Sequence, residues 1–273
     1  MLPLKSHSTR PDFFGLSWRI GAWLRPTGEV GLTGNGVQLK AGGKSFFAPL
    51  SLASDLAPSQ GAALAAAALI ALLAAQSATR LGGVRLVVSD RWLRPLVFPL
   101  GDSQLTDEDV GALVEHQYRQ LFGKLMAGWV WRWDRQANGQ VVAMAWPVQL
   151  ADRLRVQLAE QGIRLISALP LSLHAIENVR CPSDTAWFIV AEMGCATFVR
   201  SDKDGWRHWR VCVTPEFTAE QVLLQFMRMV AQLEDDCRSV WVIETGAASG
   251  WAEPLRANLA GAGWEARVSE PVQ

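Results

Sequence analysis

Two similar α/β lobes, the first interrupted by a small α+β insertion, are expected from three features of the chain. The order strand, strand, strand, helix, strand, helix, strand can be read twice along the 273 residues. Turn-forming clusters separate the first three strands of each copy, as hairpin geometry requires. Inside the first copy lies a block, residues 91–146, whose strand, helix, strand, strand pattern belongs to neither repeat.

The first copy opens with residues 13–47, rich in aromatic and branched side chains. It is cut by Pro26-Thr27-Gly28, Thr33-Gly34-Asn35-Gly36 and Gly42-Gly43, which predicts three antiparallel strands. Pro58-Ser59-Gln60 starts a helix that runs to about residue 79. Its stretch 61–75 is largely alanine and falls short of the ~20 apolar residues a membrane span needs, so a buried helix is expected. Gly82-Gly83 ends it ahead of an apolar strand at 84–89. The inserted block reads as a strand at 96–100, a helix at 106–122 and strands at 129–134 and 140–146. Gln136-Ala137-Asn138-Gly139 joins the last two, with Asn-Gly as the hairpin signal. Thr106 and Asp109 form a capping box, in which hydroxyl and carboxylate each serve the other's orphan amide. After Pro147 a helix extends to 161, Gly162 stops it, and 163–167 is a strand.

The second copy has strands at 186–192, 196–201 and 206–213, a helix at 218–233, a strand at 240–244, a helix at 249–259 and a last strand at 264–268. Asp202-Lys203-Asp204-Gly205 is its hairpin turn, and Thr218 with Gln221 offers another capping box. The expected organisation is a first lobe at 13–168, a connector at 169–183 and a second lobe at 184–270. A doubled unit of this order is the duplicated ribonuclease-H-like fold of actin relatives.

Composition narrows the chemistry. Lys plus Arg and Asp plus Glu both number 26, so no net field draws the chain to nucleic acid or to an anionic membrane, and neither is an expected partner. Cys181, Cys195, Cys212 and Cys237 form no CxxC pair; they read as reduced thiols of a cytoplasmic protein. The amino terminus lacks a long apolar stretch behind its basic residues, so no secretory signal is expected. His7, His116, His174 and His208 fall in unrelated elements, and His174 with Glu177 alone shares a helical face, so no metal site is expected. No GxSxG nucleophile motif occurs, and no catalytic residue is assigned. Asp90, Glu192 and Glu244 stand at predicted strand ends, where they read as anchors of turns and helices rather than metal ligands.

Thirteen tryptophans are many for this length, and they cluster at Trp129-Val130-Trp131-Arg132-Trp133 and Trp206-Arg207-His208-Trp209-Arg210. Period-two spacing sets Trp129, Trp131 and Trp133 on one face of a strand, with Arg132 on the other. That face is expected in the first place to pack on the 106–122 helix; the alternative, a partly exposed groove for a peptide, rests on three large anchors being more than one helix easily covers.

The stretch Val87-Val88-Ser89-Asp90-Arg91-Trp92-Leu93-Arg94-Pro95-Leu96-Val97-Phe98-Pro99-Leu100 is similar to the strand that enters the first-lobe insertion of actin-like platform proteins of bacterial type IV pili and type II secretion. These are the PilM type and the cytoplasmic part of the GspL type, which nearly the whole chain resembles. The resemblance implies a non-catalytic cytoplasmic adaptor, held at the inner membrane by the short cytoplasmic tail of an assembly protein and not inserted itself. Homo-oligomerisation is left open. It also implies that the insertion receives the partner, through Trp92, Arg94, Trp129, Trp131, Arg132 and Trp133. Nucleotide-binding members carry an Asp-x-Gly turn on the first strand pair of each lobe, where amides surround phosphate and the carboxylate handles magnesium-bound water. Here the first lobe offers Gly15-Leu16-Ser17-Trp18-Arg19-Ile20-Gly21, and the second keeps the partial echo Glu192-Met193-Gly194. Gly246 stands where a glycine-rich adenosine loop would be. Ser17, Glu192, Gly194 and Gly246 are thus degenerate nucleotide-site positions, and no cofactor and no ATP hydrolysis are expected. The rival is an ATP-dependent phosphotransferase or ATPase of the actin and hexokinase superfamily, which would need a catalytic aspartate in the interlobe cleft.

Overall fold

The computed structural model describes residues 27–33, 36–50, 58–75, 81–101, 104–126, 128–179, 185–213, 218–233, 235–245 and 250–269. The chain begins with β1 (Thr27–Thr33), β2 (Gly36–Ala41), β3 (Lys44–Pro49), α1 (Pro58–Ala75) and β4 (Gly83–Val88). The insertion follows as a 3₁₀ turn (Asp90–Trp92), β5 (Arg94–Pro99), α2 (Asp107–Phe122), β6 (Trp129–Arg135) and β7 (Gln140–Pro147). Then come α3 (Val148–Glu160), β8 (Arg164–Pro170) and α4 (Leu171–Glu177). The second lobe contains β9 (Ala186–Glu192), β10 (Cys195–Asp202), β11 (Gly205–Val213), α5 (Ala219–Leu233), β12 (Ser239–Glu244), α6 (Ala252–Gly261) and β13 (Glu265–Val268).

The two main sheets have the same strand order, β3-β2-β1-β4-β8 and β11-β10-β9-β12-β13. In each, the first three strands are antiparallel and the last two join the first in parallel. The repeat extends to single hydrogen bonds: Ser89 N–H donates to Leu32 O at 2.7 Å as Thr245 N–H donates to Ala191 O at 3.0 Å.

One turn is misplaced by sequence reasoning. Thr27 and Gly28 are not turn residues but the start of β1, a central strand paired with both β2 and β4. A Cβ on Gly28 would meet Leu81 Cδ1 and Lys40 O at 3.2 Å, so the glycine permits close packing rather than a bend. The part of the expected first strand before residue 27 lies outside the described residues. Among the described residues the turns at 136–139 and 202–205 fall where expected, and Gly42 and Gly43 take the left-handed backbone (φ 56° and 75°) that a two-residue hairpin needs.

Helix α1 also differs from expectation. Ala65, Ala66, Leu69 and Leu73 are buried, but Gln60, Leu64, Ala67 and Ala71 face outward, so one side is covered rather than all of it. Among the described residues no helix is long and apolar enough to cross a membrane.

The insertion is a three-stranded sheet, β5-β7-β6, with α2 across one face. Val110, Val114 and Tyr118 of α2 pack on Leu96, Val141, Ala143 and Ala145. The predicted capping box forms, with Asp109 N–H donating to Thr106 Oγ1 at 3.2 Å and Thr106 N–H to Asp109 Oδ2 at 3.0 Å. On the opposite face, Met144 and Trp146 are buried in the first-lobe core.

That core does not stop at the lobe boundary. Phe188, Val190, Val199, Trp209 and Ile243 of the second sheet, with Ala175 of α4, belong to the same buried cluster as Val30, Leu86 and Leu93. The other face of the second sheet, including Trp187, Ile189 and Phe198, is covered by α5 and α6. The insertion adds a strut: β5 lies against the edge strand β11, and Asn138 Nδ2 in the β6–β7 turn donates to Trp206 O at 3.2 Å and to Asp202 Oδ1 at 3.5 Å.

Candidate functional site

The carboxyl ends of the central strands of both sheets meet between the lobes, the place where open α/β sheets bind ligands. Six polar side chains are buried there: Ser89 after β4, Asp90 in the 3₁₀ turn, Ser172 in the first turn of α4, Glu192 at the end of β9, Thr197 in β10 and Thr245 after β12. Ser89 Oγ donates to Glu192 Oε1, joining the lobes directly. Asp90 Oδ2 accepts from Ser172 N–H at 2.8 Å and its Oδ1 from Ser172 Oγ at 2.9 Å, which fixes the start of α4. Burial, and secondarily the Glu192 carboxylate, push the Asp90 carboxyl from 3.8 up to about 7. Cys195, beside Glu192, is pushed well above the usual thiol range by burial, so its thiol stays protonated and unreactive.

Strand register locates the two phosphate-turn positions. The β1–β2 hairpin closes on the pair Thr33 and Gly36, and the β9–β10 hairpin on the pair Glu192 and Cys195, so Thr33 occupies in the first lobe the place of Glu192 in the second. The first-lobe strand therefore ends in Leu32, fully buried, and Thr33, whose Oγ1 donates to Gly36 O at 2.9 Å. Ser17 lies outside the described residues. Gly194 takes the left-handed turn conformation (φ 73°), while Gly246 lies outside the described residues. Glu244 is a helix anchor, its Oε1 accepting from Trp251 N–H at 3.0 Å and Ala252 N–H at 2.7 Å at the start of α6.

In the insertion, the α2-side face of β6 is packed: the Trp131 ring lies 5.8 Å from Tyr118, and Trp129 and Trp133 border the same core. Arg94 sits 5.2 Å over the Trp129 ring and 5.9 Å from Phe122, and donates to Leu93 O at 2.8 Å. Trp92 is buried in the first-lobe core, so it is a packing residue and no part of a docking face. What stays open is the free edge β6. Arg132 is exposed there, and an open concavity of about 490 Å³ is lined by Asp107, Trp131, Arg132, Trp133, Asp134 and Arg135. Arg135 is held by Asp107 at 3.2 Å and lies 6.0 Å from the Trp133 ring. The second tryptophan cluster serves the lobe contact, Trp209 being buried in the shared core with Trp206 packed against it, their rings 5.9 Å apart. Sequence reasoning missed Ser89, Ser172 and Asn138. The only signal for the first was a polar pair, Ser89-Asp90, closing an apolar strand.

No protein-family model matches the chain, and no curated protein matches it in sequence. Solved structures do match it in shape. A Bacteroides thetaiotaomicron protein with actin-like ATPase fold and unknown function is 13% identical, with a TM-score of 0.58 over 90% of this chain and 91% of that one. The PilM–PilN type IV pilus biogenesis complex gives 12% identity and a TM-score of 0.57, over 88% of this chain and 87% of the matched chain. The cytoplasmic domain of EpsL, an inner membrane component of the type II secretion system of Vibrio cholerae, gives 6% identity and a TM-score of 0.51 over 90% and 84%. The last two are proteins of the kinds that the sequence resembles. The chain has the actin-like fold, two ribonuclease-H-like lobes in tandem with an α+β insertion in the first.

Proposed function

We propose that this protein is a non-catalytic adaptor of a pilus- or secretion-type assembly machine, which captures a short cytoplasmic segment of an inner-membrane partner on its insertion. The observation that carries this reading is the content of the interlobe cleft. Where nucleotide-handling relatives need a carboxylate at the end of the first strand, this chain has Leu32 and Thr33; of the two acids buried in the cleft, Glu192 is bonded to Ser89 of the other lobe and Asp90 to Ser172. An apolar cluster continues across the cleft behind them. Triphosphate and magnesium would have to break the Ser89 bond and displace buried side chains, without an acid at the end of the first strand to receive them. The fold likeness to PilM and to the EpsL cytoplasmic domain supports the choice of machine.

The docking site is the β6 edge, with Trp131, Arg132 and Trp133. An extended partner segment adds to the unpaired strand, backbone hydrogen bonds providing affinity and the ring edges with Arg132 providing selectivity. Two measurements test the proposal. Mg-ATP up to millimolar concentration leaves the melting temperature unchanged, with no phosphate released; micromolar binding with turnover would overturn the non-catalytic part. Trp131→Ala with Arg132→Glu weakens capture of the partner's tail about tenfold or more while the protein stays folded, and undiminished capture would remove this site.

A further inference from the structure

The two lobes treat equivalent sheet faces differently. In the second lobe the face turned away from α5 and α6 is apolar and buried, through Phe188, Val190 and Ile243. In the first lobe the face turned away from the core is polar and half open, bordered by α4. Strand register sets one row of side chains straight across it: Ser45 of β3, Lys40 of β2, Glu29 of β1, Arg85 of β4 and Ser167 of β8. An open concavity of about 480 Å³ runs along this row from Ser45 to Arg85 and round the β2–β3 turn, adding Lys44, Gly42 and Gly43.

Three cations thus surround a single acid, in a chain whose total charge is zero. The acid is already engaged, Glu29 lying 3.5 Å from Lys40 and 4.0 Å from His174. Arg85 and Lys44 are exposed and form no ion pair among the described residues. In the neighbouring row, Phe47, Gln38, Gly31 and Val87, Gly31 carries no side chain, and Phe47 at the end is exposed. The result is a shallow, basic, extended trough.

We propose that this trough is a second docking surface, separate from the β6 edge, for an extended acidic segment of a partner protein. Carboxylates of the segment meet Arg85 and Lys44, while its backbone crosses the sheet at Gly31, where no side chain stands. A flat, elongated row of cations suits a chain with charges at intervals better than a compact anion, which needs convergent donors.

The test is fluorescence anisotropy of the full chain with a labelled Glu-rich peptide, using a Lys-rich peptide as the sign control. The Glu-rich peptide binds at low salt, and its affinity falls about tenfold in Lys44→Glu with Arg85→Glu, two rim charges reversed together. Binding is unchanged in Lys203→Glu, at the exposed turn of the other lobe, and in Trp131→Ala, which separates this surface from the β6 site. Circular dichroism of the double variant matches the parent. Absence of binding, or equal loss in Lys203→Glu, would overturn the proposal. So would complete displacement by inorganic phosphate at the peptide's own concentration, which would mark a general anion site. Pelleting with phosphatidylserine vesicles that Lys44→Glu with Arg85→Glu abolishes, without peptide binding, would assign the trough to a membrane surface instead.

Discussion

Asp90 connects three parts of the molecule: it closes the 3₁₀ turn after β4, holds the first turn of α4 through Ser172, and shares a buried pocket with Glu192 of the other lobe. Its carboxyl is raised from 3.8 to about 7, so the folded state binds this proton more tightly than the unfolded chain. The associated stability is full below about pH 4 and is lost as the pH climbs through about 7, to the extent of a few kcal/mol at most. The urea midpoint should accordingly be lower at pH 8 than at pH 5.5, and Asp90→Asn should flatten that difference; parallel profiles for the two proteins would refute the assignment. Legibility at this scale was uneven. Glu244 was readable as an anchor because a strand-end acid ahead of a helix start is a local signal, and its bonds to Trp251 and Ala252 span only seven and eight positions. The Ser89–Glu192 bond spans 103 positions, and nothing near either residue announces the other.

Elements were legible where local chemistry determined them. Runs of branched and aromatic residues punctuated by glycine turns defined β9 to β11, and the Thr106 to Asp109 box marked the start of α2. The start of β1 was misread because a glycine in a tightly packed strand is indistinguishable, in isolation, from a glycine in a turn. The β6–β7 hairpin was also readable from Asn138-Gly139, but not its second task, since Asn138 reaches Trp206 across the lobe boundary. Asn138→Ala removes this contact while leaving Gly139 to make the turn. A loss of about 1 kcal/mol is expected, with faster amide exchange at the tips of both hairpins. Exchange confined to the β6–β7 tip would mean that the contact does not couple them.

At the scale of the whole molecule, duplication was the most legible feature, and the relation between the copies the least. Two identical strand orders follow from the repeated pattern of strands and helices, whereas the apolar cluster joining them is made of residues that would read as ordinary core in either lobe alone. Because that cluster draws on both lobes, the protein should unfold in one calorimetric transition, with calorimetric and van't Hoff enthalpies equal. Two resolved transitions would show lobes that behave independently. The shared cluster also bears on biosynthesis. When the chain has emerged from the ribosome as far as α4, Phe188, Val190, Val199, Trp209 and Ile243 have yet to emerge, and at ordinary elongation rates the last of them arrives on the order of several seconds later. Throughout that interval the nascent first half carries a sticky, unroofed surface, so it is the half-made polypeptide, more than the finished one, that needs a chaperone.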